Sequence, residues 1–114
     1  MDMNKPSKDT HSIAELNDLL RETFWGGKIF VSDGVEQLPM SLIMRIFGAV
    51  RDFEYFTEDN DPYGEHDFGK LNVGKQEILW KIDYYDLRME FASPDPANPE
   101  VTERVLTIML ASEY

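Results

Sequence analysis

The chain has 114 residues, 42% of them hydrophobic and 29% charged, which suits one globular domain with a modest core. Its 22 acidic against 11 basic residues give a formal net charge of -11, which repels nucleic-acid phosphates and anionic membranes and disfavours direct contact with either. There is no cysteine, so disulfides, thiolate metal sites, a cysteine nucleophile and protein-based redox chemistry are excluded.

Residues 1–10 carry almost no apolar side chains and are expected to form a disordered tail, leaving residues 11–114 as a single domain. Ser12 and Glu15 fit a capping box, and Ile13, Leu16, Leu19 and Leu20 follow at helical spacing, so a helix is expected to about Thr23. Gly26 and Gly27 end it. KIFVS, residues 28–32, is β-branched and aromatic and reads as a short strand, with Asp33 and Gly34 turning the chain out. Pro39 then opens a second helix whose Leu42, Ile43, Ile46, Phe47 and Val50 form one apolar stripe, with Met40 and Met44 read as packing beside it.

An acidic stretch follows. From Asp52 to Asp67 there are seven acids and no lysine or arginine: Asp52, Glu54, Glu58, Asp59, Asp61, Glu65 and Asp67. The turn chemistry of DNDPYG makes this a loop, and its first six acids form a candidate charged binding face. From Asp67 the apolar period becomes two. If Gly74 and Lys75 are the centre of a two-residue hairpin turn, Leu71 opposes Ile78, Gly69 opposes Trp80 and leaves room for its indole, and His66 opposes Asp83. MEFA, residues 89–92, suggests a third strand of this meander. SPDPANP breaks the chain, and Asn98 followed by Pro99 suggests the cap of a last helix carrying Val101, Val105, Ile108 and Met109. The order α-β-α-β-β-β-α is that of an α+β domain, helices packed on a small, mostly antiparallel sheet.

No catalytic or metal-ligating motif is complete, and no cofactor is implied. Asp59, Asp61 and Gly64 match three positions of a calcium loop, but Tyr63 stands at the fifth position and Lys70 where a closing glutamate is required. There is no nucleophile elbow and no phosphate-binding glycine pattern. The register places His66 beside Asp83 and Tyr85 on the outer face of the hairpin. An aspartate orienting a histidine next to a tyrosine is suited to acid–base work, and equally to fastening a loop to a sheet.

At WKIDYYD (80–86), DNDPYGEHDFG (59–69), SPDPANP (93–99) and RVLTIMLASEY (104–114) the chain resembles domain-of-unknown-function family 3768, small bacterial proteins known mainly from alphaproteobacteria and often from plasmids and other mobile elements. The resemblance runs from about Leu16 to Tyr114 and supplies no activity, cofactor or catalytic residue. What it implies is context, since small acidic proteins of mobile elements include inhibitors of host defence that copy the charge of DNA. The expectation is therefore a non-enzymatic acidic protein that docks on a protein partner, in one version a nucleic-acid-binding component of CRISPR or restriction machinery. The alternative is a small metal-binding protein or hydrolase centred on His66, Asp83 and Asp61. The N-terminus lacks the apolar core of a secretory signal, and VLTIMLA is far shorter than the roughly 20 residues of a membrane span, so a soluble cytoplasmic protein is expected.

Overall fold

The computed structural model describes residues 8–114, with side chains from residue 12 onward. The elements are helix α1 (Lys8–Thr23), strand β1 (Lys28–Val31), a short helix α2 (Asp33–Glu36), helix α3 (Met40–Arg51), strands β2 (Phe68–Val73), β3 (Gln76–Tyr85) and β4 (Glu103–Leu110), and a closing 3-10 turn (Ala111–Glu113). The expected tail lies outside the described residues as far as position 7. From Lys8 the chain is already helical, so Ser12 sits inside α1 rather than capping it.

The strands form one sheet in the order β1-β4-β3-β2. β2 with β3 and β3 with β4 are antiparallel, while β1 joins β4 in parallel, so the sheet is mixed and the domain is α+β. The β2–β3 hairpin has the expected register, with Leu71 opposite Ile78 and Gly69 opposite Trp80. Gly74 takes φ +60 in the connecting turn, a conformation that favours glycine. Trp80 is fully buried, and a Cβ at Gly69 would overlap its indole Nε1, which explains the glycine there.

Two expected elements differ. MEFA forms no strand: residues 86–91 make a turn closed by Asp86 N donating to Phe91 O at 2.7 Å, and a single bridge joins Tyr85 to Ala92. The last helix is instead strand β4, flanked by β1 and β3. Burial explains the difference, because Arg104, Val105, Leu106, Ile108 and Met109 are all buried, and a central strand covered on both faces reads as a continuous apolar run with no period of two.

The core lies on the face carrying Ile78, Trp80, Ile82, Leu106 and Ile108, closed by Leu20 of α1, Val35 of α2, and Ile43, Ile46 and Val50 of α3. The α3 stripe is as expected, whereas Met40 and Met44 are exposed rather than packed. Parallel pairing of β1 with β4 requires a long crossover, and α2, α3 and the hairpin lie within it. The 52–67 loop therefore enters β2 at the same sheet end where β3 leaves and β4 begins.

Candidate functional site

FEYF, residues 53–56, starts the acidic loop with alternating roles. Phe53 is buried and meets the Trp80 ring edge-on at 5.5 Å, and Phe56 does so at 6.2 Å, while Glu54 and Tyr55 point to solvent. Asn60 then ties the loop to itself: its Oδ1 accepts from Thr57 N at 2.7 Å and its Nδ2 donates to Tyr55 O at 2.7 Å. Asp61 is buried, and its Oδ1 accepts from the backbone N–H of Glu65 at 3.1 Å and of His66 at 3.3 Å. This is the work of a short side chain competing for turn amides.

His66 takes φ +57, uncommon for a residue with a Cβ, and this reversal decides where its ring goes. The ring stacks on Phe56 at 3.9 Å and 4° between planes, and Nδ1–H donates to Asp18 of α1 at 2.9 Å. Nε2 faces Asp61 Oδ2 at 3.8 Å. The expected pair with Asp83 does not form: the ladder begins only at Phe68 opposite Lys81, and Asp83 instead holds Lys81 Nζ at 2.8 Å. That bond keeps the Lys81 ammonium above its ordinary pKa. Tyr85 lies at the strand end in the bridge to Ala92, so His66, Asp83 and Tyr85 are not one cluster.

Beneath the loop runs a polar network that the sequence did not announce. Arg104 Nε donates to Asn17 Oδ1 at 2.8 Å, and Asn17 Nδ2 donates to Tyr84 OH at 2.7 Å and to Glu65 O at 3.0 Å. Tyr84 OH donates in turn to Glu65 Oε2 at 3.3 Å. Arg21, 1% exposed, donates to the carbonyls of Val50 and Arg51 and pairs with Asp18 at 3.1 Å, its guanidinium lying over the Trp80 and Phe56 rings at 5.3 and 5.5 Å. Rings supply part of what its unpartnered Nε lacks. Burial pushes the Tyr84 phenol above its ordinary pKa and pulls the Arg104 guanidinium below its own. Burial, then the Asp67 charge, pushes the Glu65 carboxyl above the usual carboxylate range, and burial, with Asp61 and Asp83 adding to it, does the same to Asp67.

Of the six acids of the expected face, Asp52, Glu54, Glu58 and Asp59 are exposed, Glu65 is half-buried against Tyr84, and Asp61 is inside. Tyr55 and Tyr63 stand out from the same loop, 73% and 79% exposed. Among the described residues, no group of three or more histidine, aspartate or glutamate side chains is arranged to hold a metal ion, and no helix is long and apolar enough to cross a membrane. Nearly every residue that looked chemical is occupied in holding the loop. The arrangement defines a small acidic α+β protein with a tied-down, tyrosine-bearing acidic loop.

A model of a family of proteins of unknown function, DUF3768, matches residues 31–113, and the chain belongs to that family. The match spans the loop and strands β2, β3 and β4, beginning at the last residue of β1, and leaves out α1, which contributes Asn17, Asp18 and Arg21 to the network. A search of curated proteins and a search of solved structures each returned no match.

Proposed function

We propose that this protein works without catalysis, docking on a basic surface of a protein partner through the 52–65 loop. The observation that carries this reading is the pairing of two exposed tyrosines with four exposed carboxylates on a loop fastened from below. Tyrosine brings large contact area at small entropic cost, and a pre-ordered loop spends little further entropy on binding. The base-free charge favours a partner surface that otherwise takes nucleic acid, so the finer version is a nucleic-acid mimic acting in the cytoplasm against a defence system such as CRISPR or restriction machinery.

The alternative, a metal-binding protein or hydrolase centred on His66, Asp83 and Asp61, draws no support from the geometry. Asp83 is engaged with Lys81, and both nitrogens of His66 face carboxylates that already have structural partners.

The test is capture of a partner followed by charge reversal at Glu54, Glu58 and Asp59 to lysine, against the same change at Glu15, Asp33 and Glu36, which are exposed on α1 and α2. Loss confined to the loop set, steep weakening with salt and competition by DNA that does not bind this protein are the expected results. Equal losses from both sets reduce the charge to a solubility device, and a partner indifferent to salt and DNA overturns the mimicry.

A further inference from the structure

Helix α3 presents to solvent a face that the fold does not use. Its inner side is Ile43, Ile46 and Val50, and opposite them Met40, Ser41, Met44, Arg45 and Arg51 are exposed, the two methionines by 69% and 60%. Met40, Met44 and Gly48 stand four residues apart and so form one ridge along that face. Nothing within this chain requires the glycine. A Cβ at Gly48 would meet nothing within 4 Å, and glycine weakens the middle of a helix relative to alanine. The helix carries no acid, and among the described residues neither Arg45 nor Arg51 pairs with a carboxylate.

We propose that two copies of this chain pair through α3, the helices antiparallel and crossing at Met44, so that Met40 of each copy seats on Gly48 of the other. The ridge is self-complementary. Reversing it about Met44 sets the long side chain over the missing one at both ends, which is what a two-fold interface demands of a single surface. Ridges of this spacing on two helices interdigitate in the commonest packing class, and a glycine in the ridge lets the backbones approach closely. Charge favours the same arrangement. Arg51 ends α3, and the exposed Glu36 lies before its start with only residues 37–39 between, so antiparallel copies bring Arg51 of one toward Glu36 of the other on both sides of the axis. A second copy, itself at a formal charge of -11, also meets the least repulsion on a face without acids.

The dimer does not rest on the docking reading of the acidic loop. That loop starts beyond the C-terminus of α3, so an antiparallel pair sets the two loops at opposite ends and lets any docking through them be bivalent.

The test uses the full chain with no partner present. Sedimentation equilibrium of the wild type should show a mass rising from monomer to dimer with concentration. Met44→Lys places two like charges at the axis and should weaken the dimer by about a hundredfold. Gly48→Gln should act with opposite signs on two readouts, raising the urea midpoint of the dilute, monomeric chain through helix propensity while weakening the dimer by about tenfold. Because the chain has no cysteine, disulfide formation reports the geometry. Met44→Cys chains should cross-link to one another under mild oxidation, and Met40→Cys chains should cross-link to Gly48→Cys chains in a mixture, neither variant cross-linking to itself. A wild type that stays monomeric at its highest soluble concentration overturns the dimer, as does a dimer that both Met44→Lys and Gly48→Gln leave intact. Met40→Cys chains that cross-link to one another in preference to Gly48→Cys chains overturn the antiparallel crossing. A monomeric chain that loses a captured partner on Met44→Lys gives the face to a different protein and overturns the pairing of copies.

Discussion

His66 Nδ1 lies 2.9 Å from Asp18 Oδ1, a hydrogen bond across 48 residues of sequence that joins the acidic loop to the first helix. Asp18 serves two partners, because the same oxygen also accepts from Arg21 at 3.1 Å. The two ends of the bond are therefore not equivalent. His66→Ala removes one partly exposed hydrogen bond and should cost about 1 kcal/mol. Asp18→Ala also deprives a buried guanidinium of its nearest carboxylate and should cost about 3 kcal/mol. Urea denaturation of both variants checks the order, and a larger loss from His66→Ala would mean that Arg21 is satisfied by the Val50 and Arg51 carbonyls alone.

The Gly69 and Trp80 pair gives a second, core-level test. A methyl at Gly69 would overlap a fully buried ring that Phe53 meets edge-on, so Gly69→Ala should cost about 2 to 3 kcal/mol through overpacking. Trp80→Ala should cost about 3 to 5 kcal/mol by leaving a cavity. Because the two changes act on one volume, Trp80→Phe should be tolerated better in the Gly69→Ala background than in the wild type. Additive losses in that cycle would place the clash somewhere other than the indole.

What could be read from the sequence, and what could not, follows from the range of the signals. The hairpin register was legible because a two-residue turn at Gly74 and Lys75 fixes the parity of every pair after it. The loop was legible from its prolines, glycines and Asx residues, and four of its six candidate acids do face solvent. The last strand is hidden in the sequence because Asn98–Pro99 resembles a helix start and VLTIML, covered on both faces, has no alternation to reveal it. The strand register points His66 to the wrong partner because it does not extend through a residue with φ +57. Asn17, Arg21 and Arg104 were invisible, since nothing local distinguishes a buried polar side chain from a solvated one on a helix or strand.

The raised carboxyls also set the direction of the protein's own pH dependence. Glu65 and Asp67 bind protons more tightly folded than unfolded, so the folded state carries the extra protons once pH passes the ordinary carboxylate pKa of about 4. Stability from these groups therefore falls as pH rises from there through the raised values. Glu113 acts in the opposite sense. Its carboxylate accepts from Ser32 Oγ at 2.5 Å and from the Leu110 and Gly34 amides, which holds its pKa below the usual range, so its contribution is present above about pH 4 and is lost as pH falls through the lowered value. Chemical denaturation across the acid range should show Glu65→Gln flattening the descending limb and Glu113→Gln flattening the ascending one. A Glu65→Gln curve parallel to the wild type would remove Glu65 from this balance.

The exposed tyrosines separate binding from folding. Tyr55 and Tyr63 project from turns whose hydrogen bonds use backbone atoms, Asn60 and Asp61 rather than the phenols, so Tyr55→Ala and Tyr63→Ala should shift stability by no more than about 0.5 kcal/mol. If the loop docks on a partner, the same substitutions should weaken capture severely, because aromatic anchors carry a large share of interface energy and each one lost can cost about 2 kcal/mol, some thirtyfold in affinity. They should do so mainly through faster dissociation, whereas lysine at Glu54, Glu58 and Asp59 should chiefly slow association. Surface plasmon resonance against the captured partner at two ionic strengths resolves the two. Salt should change the rate of association in the tyrosine variants as it does in the wild type. Tyrosine variants that bind like the wild type would move the contact off this loop, while loss of binding accompanied by loss of stability would mean that the phenols support the fold.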